Sequence, residues 1–244
     1  NMSEDIRWGI LATGSIAHKF AEGLKSVSGA RLISVGSRHK DKAEEFANKF
    51  GAENAHGSYE QLAGDDNVDI VYVATPHPFH KENTLLCLEA GKAVLCEKPL
   101  AMNSTEVQEM IGLAREKKIF LMEAMWTRFL PVMDKIREWL KDGAIGEPRM
   151  LKADFGFRAP WEPSSRLLDP KLGGGALLDV GVYTIALSSM VFGGPPEDLA
   201  SQAHIGTTGV DEQSAMVFKY AHGQLASLQC AVRTHTPHVA YILG

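Results

Sequence analysis

Residues 7–17 read RWGILATGSIA, an apolar run that ends in a turn of small residues and passes at once into a helical pattern. A strand that turns this sharply into a helix is the opening half of a β-α-β unit. The same design recurs. ARLISVGS (30–37), VDIVYVAT (68–75), KAVLCE (92–97) and IFLMEA (119–124) are further β-like runs bounded by Gly, Pro, Asp or a helix cap. Between them, IAHKFAEGLKSV, DKAEEFANKF, HKENTLLCLEAG and STEVQEMIGLAREKK carry helical apolar spacing. Such alternation predicts a parallel sheet covered by helices on both faces, with ligands outside the carboxyl ends of its strands.

The pattern changes near residue 125. A helix-like PVMDKIREWLKDG (131–143) precedes RMLKADFGFRA (149–159), a Gly-rich turn, the mostly apolar ALLDVGVYTIALSSMVF (176–192), and alternating stretches at 199–206, 214–220 and 224–234. The expected architecture is α/β: a doubly wound parallel sheet over 1–124, then an α+β domain over 125–244 with an open, mostly antiparallel sheet. Residues 239–244 read as the interior of a strand with nothing after them to cap the sheet, so the natural chain is expected to continue. Asn1 ahead of Met2 is expected to be foreign to it.

Composition narrows the function. The 25 Lys and Arg stand against 30 Asp and Glu, without a basic cluster, which argues against nucleic acid. The apolar runs break at Gly or charge before the roughly 18 residues of a membrane span, and the N-terminus lacks a signal-peptide pattern. A cytoplasmic protein is expected. Cys87, Cys96 and Cys230 are widely spaced in apolar settings and read as reduced core thiols, with no zinc or iron site.

Chemistry concentrates at the predicted strand ends. Against the dinucleotide fingerprint G-x-G-x-x-G/A, Ala12 takes the first glycine's place, Gly14 the second and Ala17 the third; a tight turn without ligand reads much the same. The next strand ends Ser37-Arg38-His39-Lys40, with Lys42 nearby and no carboxylate before Asp41. That set suits a 2′-phosphate and favours NADP over NAD; the alternative is a solvated basic turn. Thr75-Pro76-His77-Pro78-Phe79-His80 forms a rigid polar rim or ordinary turn chemistry. Glu97-Lys98-Pro99 puts an ion pair at the mouth of a buried sheet, as a site or as a surface pair, and Pro99 could fix Lys98 through a cis bond. Asp179 and Tyr183 stand one turn apart on an apolar helix, so a buried carboxylate there needs a hydrogen-bond partner; Tyr183 as core filler is the alternative.

Taken in order, GILATGSIA, TPHPFH, CEKPLAMN, EAMWTRFLP and GGGALLDVGVYTI resemble the glucose-fructose oxidoreductase / inositol dehydrogenase family of NAD(P)-dependent oxidoreductases across nearly the whole chain. Within it they are most similar to the branch that acts on trans-dihydrodiols or xylose with NADP. The resemblance implies a Rossmann first domain and a second domain for substrate binding and dimerisation. It implies that Lys98 lies beside the nicotinamide with Pro99 cis, and that Tyr183 with Lys98 is the acid/base while Asp179 takes part in the same site. Thr13, Gly14, Ser15 and Ile16 would hold the pyrophosphate, Ser37, Arg38 and Lys42 the 2′-phosphate, and Thr75, His77, His80 and Glu97 would line the cofactor. Trp126 and Arg128 would stand near the nicotinamide, and Trp161 would shape the pocket for a sugar, polyol or dihydrodiol. His77 departs from the family, where many members have Asn. A homodimer or higher homo-oligomer through the second sheet is implied. The other readings are a catalytically silent NADP-binding sensor and a reductase of imine or biliverdin-like substrates on the same fold.

Overall fold

The computed structural model describes residues 5–244. Two compact units divide the chain, the first ending at Ala124 and the second running over Met125–Gly244.

In the first unit the elements are β1 (Ile6–Leu11), α1 (Ser15–Leu24), β2 (Ala30–Gly36), α2 (Lys40–Phe50), β3 (Asn54–His56), α3 (Tyr59–Ala63), β4 (Ile70–Val73), α4 (His80–Glu89), β5 (Ala93–Cys96), α5 (Ser104–Lys117) and β6 (Leu121–Glu123). The six strands are all parallel, in the order β3-β2-β1-β4-β5-β6. Neighbouring residues show why the strands read as unbroken apolar runs. Ile10 and Leu11 are both fully buried, but Ile10 packs with Ala17, Ala21, Phe46 and Tyr72, whereas Leu11 packs with Val71, Cys87, Leu88 and Met110 on the other face. Each such side chain contributes about 1.5–3 kcal/mol of burial, and a sheet buried on both faces leaves only its strand ends for chemistry. The strand order reverses between β1 and β4, and the crevice at their carboxyl ends is the switch point where ligands of such sheets lie.

The second unit holds α6 (Pro131–Lys141), β7 (Met150–Gly156), α7 (Val182–Phe192), β8 (Asp198–Ile205), β9 (Asp211–Lys219), β10 (Leu225–Ala231) and β11 (Ala240–Leu243). Its sheet runs β11-β7-β10-β9-β8. The sheet is mostly antiparallel, as expected, with one exception: β10 pairs with β7 in parallel along seven residues of register. The long connection through α7 and the β8–β9 hairpin makes that crossover possible. One face, with Leu151, Ala153, Phe218, Leu228 and Cys230, packs on Ala176 and Val180. Leu199, Val217 and Tyr241 are exposed, and every residue of β8 is.

The run Pro170–Phe192 is long and apolar enough, by length and composition, to cross a membrane, although the sequence reading breaks it at its glycines. Ala176, Val180, Thr184 and Ser188 along it are buried, and Ala176 and Val180 belong to the second unit's core, the pattern of a core helix. The three cysteines are free and buried, and burial pushes the Cys87, Cys96 and Cys230 thiols up to about 12.

Candidate active site

In the first unit the turn after β1 is built for a close approach. Gly14 is the N-cap of α1 and offers no side-chain bond, and the first turn of α1 holds no acidic residue. Its φ of -73° suits any residue, and a Cβ added there meets nothing within 4 Å. Neither backbone nor packing demands a glycine at 14, whereas a phosphate laid on the helix N-terminus does. Ser15 and Ile16 beside it are exposed, and Thr13 is half-buried. Ala12, in place of the first glycine, sits at φ 81°, where an alanine is strained. These residues fit a dinucleotide.

At the end of β2, Ser37 is buried and its hydroxyl accepts from the His39 amide at 3.3 Å. Arg38 is exposed and lies beside Tyr59, whose hydroxyl burial pushes above its ordinary value against the pull of the Arg38 charge. Lys42 stands on α2 with Glu45 as its partner at 2.9 Å, and Lys40 donates to the Ala55 carbonyl. Of the expected cation cluster, Lys40 and Lys42 thus have local partners, and Arg38 is the cation directly after the strand.

Beyond β4, His80, which was expected to line the cofactor, is fully buried. Its ring nitrogens face the Pro99 carbonyl at 2.7 Å and the Thr75 carbonyl at 2.8 Å. Burial pushes the imidazole below its ordinary value and the two carbonyls oppose this; a neutral ring donates to only one of them. His80 therefore fastens the end of β4 to the loop after β5. Thr75 is buried with its hydroxyl near the Asn83 amide, and the half-buried His77 ring meets that of His80 edge-on at 5.7 Å.

The Lys98–Pro99 bond is cis. Glu97 turns inward, where the Tyr72 hydroxyl donates to one carboxylate oxygen and the Lys98 amide to the other. Burial pushes the Glu97 carboxyl up, with those two bonds and the Lys98 charge pulling the other way. Glu97, expected to line the cofactor, is thus tied to the loop that carries Lys98, which is half-buried.

In the second unit the expected partner of Asp179 is Arg166, on the loop ahead of the helix, at 2.8 Å. The sequence gives no sign of which arginine would answer that carboxylate. Asp179 is buried and Tyr183 half-buried. The indole N–H of Trp126 donates to the Tyr183 hydroxyl at 3.0 Å, and Phe155 lies against the Tyr183 ring with centroids 5.5 Å apart. His238, which the sequence reading passed over, meets Phe155 edge-on at 4.9 Å. Arg128 is exposed beside Trp126, and its carbonyl accepts from Arg137. Trp161 is exposed under the Arg233 guanidinium, 5.3 Å from its ring centre. Among the described residues no group of His, Cys, Asp and Glu is placed to hold a metal ion.

A dinucleotide-binding α/β unit followed by a mixed-sheet unit with a polar pair on its core helix defines a class of two-unit oxidoreductases. Residues 6–125 match the oxidoreductase family with an NAD-binding Rossmann fold, and residues 133–244 match the GFO/IDH/MocA C-terminal domain. The chain is 44% identical over 242 residues to the trans-1,2-dihydrobenzene-1,2-diol dehydrogenase of Mus musculus, covering 98% of itself and 72% of that protein. The solved 3-ketoreductase from Actinomadura kijaniata in complex with NADP and TDP-benzene is 29% identical, with a TM-score of 0.88 over 99% of this chain and 74% of that one. The aldose-aldose oxidoreductase from Caulobacter crescentus shares the fold at a TM-score of 0.92 and 23% identity, over 99% of this chain and 75% of that one. The chain belongs to the GFO/IDH/MocA family of NAD(P)-dependent oxidoreductases.

Proposed function

We propose that this chain is an NADP-dependent dehydrogenase that moves a hydride between the nicotinamide and a secondary alcohol or cyclic hemiacetal: a trans-dihydrodiol, a sugar or a polyol. The observation that carries the reading is the Trp126–Tyr183 hydrogen bond. An indole N–H can only donate, so the phenol oxygen accepts there, and that bond strengthens when the oxygen is charged. A tyrosine that merely filled the core would need no donor of this kind. Tyr183 takes the proton of the substrate hydroxyl. Lys98, at the end of the fifth strand, holds the substrate oxygen. Asp179, paired with Arg166, orients the substrate or Tyr183.

The nicotinamide, when bound, supplies the hydride acceptor or donor. Thr13, Gly14, Ser15 and Ile16 hold its pyrophosphate, Ser37 and Arg38 its 2′-phosphate, and Thr75 and His77 form the rim, with Trp126 and Arg128 toward the nicotinamide and Trp161 against substrate. The open turn at Gly14 supports the first of these assignments, and the NADP bound by the related 3-ketoreductase supports the choice of dinucleotide. The name of the Mus musculus relative supports the dihydrodiol class. The full-length protein works in the cytoplasm as a homodimer formed through the second sheet, whose exposed Leu199, Val217 and Tyr241 need a cover.

The test is NADPH absorbance with a panel of trans-dihydrodiols, aldoses and polyols, run in both directions on full-length protein. Turnover of alcohols with NADP+ is expected. Saturable NADP binding without turnover makes the protein a sensor, and turnover in the reductive direction alone makes it a reductase of other substrates.

A further inference from the structure

Asp179 and Tyr183 lie on a helix that does not begin as an α-helix. Leu177–Gly181 forms a π-helical turn that runs directly into α7. Ala176 ahead of it is already helical and offers no side-chain cap. The cap comes instead from another element, 34 residues on. Asp211, the first residue of β9, accepts from the Leu177 amide at 2.8 Å, and the same carboxylate oxygen accepts from the Ser214 hydroxyl at 2.9 Å. Its second oxygen occupies the space a side chain at 175 would need: a Cβ on Gly175 would lie 2.2 Å from Oδ1, and Gly175 has φ +120°. On the other flank a Cβ on Gly181 would meet the Cys230 sulfur at 3.0 Å. The turn is thus pressed onto β9 and β10 and held there by one carboxylate.

A π-turn accommodates one residue more than an α-turn, and such turns persist where the surroundings hold them. Were Leu177 released, relaxation to α-helical register would turn the preceding residues by about 100° about the axis relative to α7. Asp179 lies inside the turn and Tyr183 beyond it. We propose that Asp211 is a positioning residue for this pair: by capping Leu177 it fixes the π-turn and so the placement of Asp179 against Tyr183. The proposal rests on the reading of Tyr183 as the group that moves the proton.

The experiment is a double-mutant cycle on full-length protein. Asp211→Ala is expected to lower kcat for alcohol oxidation by about tenfold or more, with the Kd for NADP changed less than about twofold. Asp211→Asn keeps an oxygen that can accept from the Leu177 amide and is expected to restore kcat to within about threefold. Added to Tyr183→Phe, Asp211→Ala is expected to cost nothing more, because both remove one function. Full additivity in the cycle, or Asp211→Asn as damaging as Asp211→Ala, overturns the proposal and leaves Tyr183 in its role. Full activity in Tyr183→Phe brings down the Tyr183 reading and this proposal with it. Should Asp211→Ala fail to fold, amide exchange in the unaltered protein decides: slow exchange at Leu177 is expected, and exchange as fast as in an exposed turn overturns the cap.

Discussion

Trp126 donates its indole N–H to the hydroxyl oxygen of Tyr183 at 3.0 Å. In the proposed reading, this donor holds the oxygen that takes the proton of the substrate alcohol. Trp126→Phe keeps the ring and loses the donor. It is expected to lower kcat for oxidation by roughly 10- to 100-fold, the worth of a hydrogen bond to a charged group. An unchanged kcat would show that the indole serves only as a wall.

Gly14 separates folding from cofactor binding. Since φ at 14 is ordinary and a Cβ there meets nothing, Gly14→Ala is expected to change unfolding free energy by less than about 1 kcal/mol. In the proposed site the same methyl group would stand where the pyrophosphate approaches, so the Kd for NADP is expected to rise about tenfold or more. Calorimetry and cofactor titration on the same sample check both halves. A large loss of stability with binding intact would make this turn a packing feature.

Cofactor choice should depend on Arg38. If its guanidinium pairs with the 2′-phosphate, Arg38→Ala weakens NADP by about 1.5–3 kcal/mol and leaves NAD nearly untouched. Titration with both cofactors decides, and equal losses would sink the assignment.

Asp65 governs acid stability of the first unit. Its carboxylate accepts from the Ser34 hydroxyl at 2.5 Å, from His56 at 2.9 Å and from the Asn67 amide at 2.9 Å. Burial alone would raise its pKa, but those bonds outweigh it and hold the carboxyl well below the usual carboxylate range. A group whose folded value is lowered contributes stability above its unfolded value near 3.9, and loses it as pH falls toward the folded value. Asp65→Asn is therefore expected to cost about 1–3 kcal/mol at neutral pH and to flatten the decline below about pH 4. Urea unfolding across that range measures it; equal loss at every pH would mean the charge is not the cause.

Much of this was legible from the chain, because the periodicities were strong. The five main strands of the first unit and their helices follow from apolar runs broken at Gly and Pro. β3 escaped because Asn54-Ala55-His56 has no apolar alternation; its pairing with β2 is supported by Asp65 holding Ser34, Asn54 and His56. The π-turn escaped because its apolar pattern is that of an α-helix, and the carboxylate that caps it sits on β9. The parallel β7–β10 pairing is a long-range register that alternation cannot encode. The polar pair on the core helix was legible as a contradiction, a carboxylate on an apolar face, but its partner was not, since Arg166 approaches from an irregular loop. The two carbonyls that face His80 were not legible, because a histidine after a strand end reads alike whether it faces a ligand or backbone.

The last prediction concerns the proton itself. Oxidising an alcohol by hydride transfer needs a group to take the hydroxyl proton, and an ordinary tyrosine, with a pKa near 10, is a weak candidate at neutral pH. In the proposed reading Tyr183 takes that proton while accepting from the Trp126 N–H, and Asp179 is paired with Arg166. Tyr183→Phe removes only the hydroxyl, so kcat should fall roughly 10²- to 10⁴-fold, the usual range for loss of a general acid or base, while NADP affinity stays nearly constant. Lys98→Met should cost at least as much, since in the proposed reading it also releases the substrate oxygen. His80, buried and committed to two carbonyls, is poorly placed to substitute. Near-normal kcat in Tyr183→Phe from pH about 6 to 10 would mean that the proton leaves by another group, and the acid/base assignment would fall with it.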